Sequence, residues 1–171
     1  MMKNFLFCVA VCFLSNINNV FASSPQVLGE YGDWIAYYYR DSAGAVCYMA
    51  STPKKDEGKY SRRGDIYAVV THRPDENSFN VVNFNAGYEY KKGAKVEVKI
   101  GAKTFDKIFT SGDKAWPTNE KTDNEMVNAM KRGSRMVVYG TSSRGTKTKD
   151  TYSLSGFANA YRAISNKCKA N

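Results

Sequence analysis

Short runs of β-branched and aromatic residues recur through most of the chain, and turn residues separate them. Four of these runs, at 34–39, 46–50, 66–71 and 79–84, have the length of ordinary strands. In a fifth, at 96–100, valine and isoleucine alternate with lysine and glutamate, which is typical of a strand with one face in water. Short strands joined by turns predict a mainly β domain in which neighbouring strands are antiparallel.

Two segments are predicted to be helical. Thr122 and Glu125 have the spacing of a capping box, so the first helix is expected to begin near Thr122 and to end at Gly133. The last helix is expected over 155–167, with a stripe of apolar residues on one face. That stripe consists of Phe157, Tyr161, Ile164 and Cys168. The predicted fold class is therefore mainly β, an antiparallel β-sandwich or barrel-like domain with a short mid-chain helix and a C-terminal helix.

The segments between these elements are predicted to be loops and one further hairpin. Residues 53–64 carry many charges between a proline and a glycine, which predicts a loop. Gly101 suits a tight turn after the alternating strand. Residues 103–110 are expected to pair back onto that strand, with a bulge near Asp106.

The N-terminal residues have the three-part pattern of a secretory signal peptide. Lys3 precedes an uncharged apolar run at 5–14, and residues 20–22 place small or short side chains before a cleavage point. The apolar run is much shorter than the roughly 20 residues that a membrane-spanning helix needs. We therefore predict a signal peptide over 1–22 and a single exported domain over 23–171, without a transmembrane segment, located in the periplasm or at the cell surface.

Removal of the signal peptide leaves two of the four cysteines. Cys8 and Cys12 lie in the leader, whereas Cys47 and Cys168 remain. Two cysteines in an oxidising compartment normally pair, so we predict a disulfide between Cys47 and Cys168. Such a bond would join the last helix to an early strand. The alternative is a pair of buried free thiols.

The sequence lacks the residue patterns of familiar catalytic and metal sites. It has one histidine, His72, and outside the leader it contains no HExxH, no cysteine pair at metal-ligand spacing, no phosphate-binding glycine loop and no serine-nucleophile motif. We therefore predict no catalytic residue, no metal and no cofactor, and a binding function rather than an enzymatic one. One alternative stays open, a periplasmic hydrolase of unfamiliar type centred on His72.

The charge balance is strongly basic, with 25 lysines and arginines against 16 aspartates and glutamates. Such an excess favours anionic partners, although it also promotes solubility. An exported protein rarely meets nucleic acid, so the predicted partner is an anionic envelope polymer or another protein. The predicted contacts are Lys54, Lys55, Arg62, Arg63, Lys91, Lys92, Arg144 and Lys147. Arg63 also begins an Arg-Gly-Asp tripeptide, which can bind adhesion receptors only from an exposed loop.

Several segments together resemble the invasion-associated locus B family of exported bacterial proteins. They are GDW at 32–34, VCY at 46–48, AGYEY at 86–90, FTSGDKAW at 109–116 and GSRMVVYGTSSRGT at 133–146. The most specific is DTYSLSGFANAYRAI at 150–164, which resembles the closing signature of the family. The resemblance covers about residues 30–168.

The resemblance implies a periplasmic or outer-membrane-associated protein of Gram-negative, mainly alphaproteobacterial, cells, built on a β-rich domain. Some relatives are linked to host-cell invasion, and the family has no agreed catalytic residues to carry over. Better-known members contain extra cysteines in mid-domain. This sequence keeps only Cys47 and Cys168 outside the leader, which marks a divergent, two-cysteine branch. The function expected from the resemblance is that of an envelope protein linked to host-cell invasion or to envelope integrity.

Overall fold

A computed structural model describes residues 24–170, and the predicted signal peptide lies outside them. Their strands form two antiparallel sheets. Across the seven-stranded sheet the order is β1 (Gln26–Tyr31), β2 (Trp34–Asp41), β3 (Gly44–Ser51), β5 (Tyr67–Arg73), β6 (Ser78–Asn85), β10 (Lys114–Pro117) and β9 (Ile108–Ser111). Across the five-stranded sheet it is β4 (Lys55–Gly58), β12 (Lys147–Ser153), β11 (Arg135–Thr141), β7 (Glu97–Ile100) and β8 (Lys103–Phe105).

The fold class predicted from the sequence is confirmed in its sandwich form. Both sheets are open at their edges within the described residues, so the barrel-like version is not adopted. The inner faces of the two sheets and of both helices contribute to one cluster of buried side chains. This cluster includes Trp34, Phe84, Val98 and Phe157, none more than 1 % exposed.

The two irregular segments differ from the prediction. The charged 53–64 segment contains strand β4, which pairs with β12 at the edge of the five-stranded sheet. Residues 103–110 do not form one returning strand with a bulge at Asp106. Instead β8 pairs with β7, and β9 joins β10 in the other sheet, so the chain leaves one sheet and enters the next at 106–107.

The first helix, α1 (Glu120–Arg132), begins earlier than the capping box predicted. Asn119 has the extended backbone of an N-cap, and its side-chain oxygen accepts a hydrogen bond from the Thr122 backbone N–H at 3.0 Å. Thr122 is therefore the third helical residue rather than the cap. Gly133 ends the helix as predicted, and its backbone N–H donates to the Ala129 carbonyl.

The second helix, α2 (Phe157–Cys168), lies against the inner face of the seven-stranded sheet. Its N-cap is Gly156, which has a φ of 84°, and a Cβ there would collide with the backbone carbonyl of Tyr31. The predicted disulfide is present, with the Cα atoms of Cys47 and Cys168 6.0 Å apart. It joins the end of α2 to the middle of β3.

Candidate binding cleft

Three loops from distant parts of the sequence form an open cleft of about 540 Å³. They are the β4–β5 loop at 59–64, the start of the β6–β7 connection at 87–89, and the β11–β12 turn with the first residues of β12 at 142–148. We call this the loop cleft. It lies at one end of the sandwich, where connections from both sheets meet.

Backbone hydrogen bonds hold the three loops of the cleft together. The Gly64 N–H donates to the Gly87 carbonyl at 2.8 Å, and the Ser143 N–H donates to the Glu89 carbonyl at 2.7 Å. Gly87 has a φ of 67°, and a Cβ there would collide with the Gly64 carbonyl. A glycine is therefore needed at 87 for the two loops to approach this closely.

A buried ion pair forms the base of the cleft. Both terminal nitrogens of Arg63 donate to the two carboxylate oxygens of Asp150 at 2.6 Å, and the Arg63 Nε donates to the Ala86 carbonyl at 2.6 Å. The two side chains are only 4 % and 5 % exposed. Burial raises the pKa of Asp150, whereas the contact with Arg63 lowers it. This pair fixes the β4–β5 loop to strand β12.

Two tyrosines enclose the Arg63 guanidinium. Its central carbon lies 5.4 Å from the centre of the Tyr60 ring and 4.9 Å from the centre of the Tyr88 ring, which are cation–π distances. The Tyr88 hydroxyl shares a hydrogen bond with the Thr148 hydroxyl at 2.6 Å. Burial raises the pKa of Tyr88. The hydrogen bond that the Tyr60 hydroxyl donates to Asp56 raises the pKa of Tyr60. Both rings therefore stay neutral near pH 7.

Three exposed cations lie around the opening of the loop cleft. They are Lys59, Arg62 and Arg144. Among the described residues, no acidic side chain forms an ion pair with any of them. Glu89 is the acidic residue that lines the cleft. The opening therefore carries a net positive charge that the protein leaves uncompensated.

The eight basic residues predicted as contacts do not form one site. Arg62 and Arg144 line the cleft opening, and Lys147 lines an adjoining depression of about 680 Å³ that Arg144 also borders. Arg63 lies in the base of the cleft, where its charge is already paired. Gly64 and Asp65 are exposed, but the Arg63 side chain of the Arg-Gly-Asp tripeptide is buried and paired with Asp150, so it is not presented to an adhesion receptor.

The remaining four predicted contacts lie outside the cleft. Lys54 pairs with Asp33 at 2.6 Å, and Lys55 pairs with Glu57 at 2.9 Å. Lys91 and Lys92 are exposed in the β6–β7 connection and do not line the cleft. The contact set also omitted Lys59 and the two tyrosines that enclose Arg63. The sequence feature that could have identified these three residues is that each lies in or beside a basic cluster.

His72 is fully buried in β5 and does not line the loop cleft. Its Nδ1 accepts a hydrogen bond from the Asn80 backbone N–H at 3.0 Å, so in the neutral ring the proton is on Nε2, which lies 3.2 Å from the Ser165 hydroxyl. Burial lowers the pKa of His72 to about 4, and the positive charge of Lys131 adds to this. The hydrolase alternative centred on His72 thus gains no support.

We expect the stability contribution of His72 to depend on pH. Its folded-state pKa is below the ordinary value of 6.5, so the unfolded chain takes up the proton first as pH falls. The contribution of neutral His72 to the free energy of unfolding is complete above pH 6.5. It falls by about 3 kcal/mol as the pH is lowered to 4. The destabilisation caused by His72→Gln, measured by urea unfolding, should therefore shrink by that amount between pH 7.5 and pH 4. A constant difference would contradict a buried neutral ring.

Asp123 provides a control of opposite sign for this experiment. Burial raises its pKa to about 6, and its carboxylate accepts a hydrogen bond from the Val82 N–H at 2.8 Å. The folded state binds this proton first, so the contribution of Asp123 is lost as pH rises from about 4 to 6. Asp123→Asn should therefore become relatively more stabilising as pH rises, opposite in direction to His72→Gln.

Two searches of the described residues concern metals and membranes. No group of three or more histidine, cysteine, aspartate or glutamate side chains within residues 24–170 is placed to hold a metal ion. In that same range no helix is long and apolar enough to cross a bilayer.

The fold is therefore a β-sandwich in which a disulfide fixes helix α2 to the seven-stranded sheet. A family model described as "Invasion associated locus B (IalB) protein" matches residues 34–165, so the chain belongs to that family and the resemblance read from the sequence is confirmed. Comparison with curated proteins found no match, and neither did comparison with solved structures. Family membership and the disulfide both indicate an exported protein.

Proposed function

We propose that this protein is a non-enzymatic envelope protein that binds an anionic polysaccharide through the loop cleft. The single observation that carries the proposal is the opening of the cleft, where three exposed cations have no acidic partner among the described residues. A positively charged concave site raises the local concentration of polyanions and speeds their association.

The buried pair beneath the opening supports the same proposal. Arg63 and Asp150 neutralise one another, so they give the cleft a rigid base without adding to its net charge. Arg62 directly precedes Arg63 in the same loop, so the buried pair holds the backbone next to Arg62 in place. A loop whose backbone is already fixed loses less conformational entropy on binding than a free one, which favours affinity.

The family description supports a location in the cell envelope and a role linked to invasion. We infer that the protein acts in the periplasm or at the cell surface, where phosphorylated and carboxylated polysaccharides are the abundant polyanions. Binding to such a polymer is compatible with a role either in envelope integrity or in host-cell invasion. A protein partner with an acidic surface is the alternative occupant of the cleft.

Substitution of Arg62→Gln together with Arg144→Gln should weaken binding at least roughly tenfold, because each charge-assisted hydrogen bond contributes about 1.5–3 kcal/mol. The probe is the phosphorylated oligosaccharide released from lipopolysaccharide by removal of its lipid, titrated calorimetrically at low salt. The dissociation constant should also rise as salt increases from 50 to 300 mM, since screening acts on exposed charges.

The matched control removes the same charge elsewhere. Lys103 and Lys107 are exposed, lie outside the cleft and can be replaced together by glutamine. This control variant should bind within about twofold of the wild type. Equal losses in the two variants would show that only net charge matters. Undiminished binding after the cleft substitutions would reject the cleft.

A further inference from the structure

The outer face of the seven-stranded sheet is apolar where a water-facing sheet is normally polar. One row of directly paired residues crosses five strands of this face: Val27, Tyr37, Tyr48, Thr71 and Val81. None of the five is charged. Antiparallel sheets with one wet face usually alternate apolar inward residues with polar outward ones, so this face departs from that pattern.

Apolar residues occur again at the far edge of the sheet, beyond Asn85 and Lys114 on the same face, and the charge of Lys114 is paired with Asp113. Trp116 of β10 and Phe109 of β9 are directly paired, and their rings stack with centroids 5.3 Å apart. The two large hydrophobic side chains most exposed among the described residues lie at its opposite edges, Val27 at 53 % and Phe109 at 50 %. Between them Tyr37, Tyr48 and Val81 are partly exposed, and apolar surface of this extent is typical of an interaction site.

The other sheet of the same protein shows what a solvated face looks like here. The corresponding row across the five-stranded sheet is Glu57, Lys149, Tyr139 and Glu97. Three of these four residues are charged. The contrast shows that an apolar outer face is specific to the seven-stranded sheet.

No helix covers this apolar face among residues 24–170. Helices α1 and α2 contact the sheet from the inner side, where Cys47 bonds to Cys168. The depression over the outer side, of about 560 Å³, is lined by residues of β2, β3, β5 and β6 together with Pro25.

The arrangement of rings and charges favours another sheet as the partner of this face. Tyr37 and Tyr48 stack with centroids 4.8 Å apart, so one face of each ring is already occupied by the other ring and is not free to stack on a sugar. The arginine on this side, Arg73, is paired with Asp41 and Glu76 at 3.0 Å each. The rim therefore has no excess of cations to attract an anionic membrane.

The size of the apolar face is sufficient for self-association. With strands about 4.8 Å apart and about 3.3 Å per residue, the outer face of seven strands over five residues each measures roughly 30 Å by 17 Å, or about 500 Å². Two copies would bury about 1,000 Å² in total, which reaches the lower limit for a specific interface. A neutral face also allows two strongly basic molecules to meet without opposing like charges.

We propose that a second copy of this chain covers the outer face of the seven-stranded sheet, so that the protein forms a symmetric dimer with two sheets packed face to face. This interface and the loop cleft are on different surfaces of the molecule. The test of the dimer also uses no polysaccharide. The dimer and the proposed function can therefore fail independently.

Analytical ultracentrifugation of the mature chain should show a concentration-dependent dimer that Tyr48→Lys disrupts. The substitution would bury an unpaired cation in each half of a symmetric interface, which costs several kcal/mol, so the dimer dissociation constant should rise at least roughly 100-fold. The matched control is Tyr139→Lys on the charged outer face of the other sheet, which should leave the dissociation constant within about twofold.

A second variant tests the same face independently, so that misfolding of Tyr48→Lys cannot be mistaken for loss of the dimer. Phe109 is half exposed, so Phe109→Lys should fold normally and still weaken the dimer at least roughly tenfold. A wild-type chain that stays monomeric to 1 mM would overturn the proposal. So would a dimer that survives both face substitutions, or one that Tyr139→Lys disrupts equally. A monomer that binds uncharged phospholipid vesicles through Phe109 would show that lipid, not a second copy, covers the face.

Discussion

Replacing Asp150 with alanine should lower the free energy of unfolding by about 3–5 kcal/mol, because it leaves the guanidinium of Arg63 buried without its partner. Both side chains are at most 5 % exposed, and both Arg63 terminal nitrogens donate to the carboxylate. The measurement is urea unfolding at pH 7, followed by circular dichroism.

Two controls separate a buried unpaired charge from the mere loss of a residue. The double variant Arg63→Met and Asp150→Leu removes both charges and should be far closer to wild type, since apolar replacement of a buried ion pair is often nearly neutral. Glu57→Gln breaks surface ion pairs to Lys55 and Lys149 and should cost less than about 1 kcal/mol. A loss of that small size for Asp150→Ala would contradict the buried pair.

Replacing both Cys47 and Cys168 with alanine should destabilise the domain by about 4–5 kcal/mol in the chain-entropy account. The bond closes a loop with a sequence separation of 121 residues, so its removal greatly increases the freedom of the unfolded chain. The readout is the free energy of unfolding of the double variant against the oxidised wild type.

Two further measurements show whether the disulfide itself is responsible. Reduction of the wild type should reproduce the loss, whereas the same reductant should leave the double alanine variant unchanged. Hydrogen exchange should quicken first at the end of α2, which the bond joins to β3. A reduced wild type as stable as the oxidised one would contradict a structural role for the bond.

The regular part of the fold could be predicted because local patterns determine it. The alternation at 96–100 and the apolar stripe of the last helix each reflect one buried face. Strand β4 was missed because its sequence, KDEG, is highly charged, as befits the edge of a sheet. Strand β10 was missed because it is four residues long and ends in proline.

The loop cleft could not be predicted to the same extent. The sequence identified basic clusters, but it could not show that loops far apart in the chain meet. Arg62 and Arg63 are adjacent and chemically identical, yet one is exposed and the other buried. The partner that distinguishes them, Asp150, is 87 residues away from Arg63. Such pairing follows from the tertiary fold and leaves no local pattern.

Hydrogen exchange of the mature protein, with and without the phosphorylated oligosaccharide, tests the binding proposal most directly. The account predicts slower exchange at 59–64, 87–89 and 142–148 on binding, and little change over the outer face of the seven-stranded sheet. Protection confined to residues outside those three loops, or no protection at saturating oligosaccharide, would contradict it.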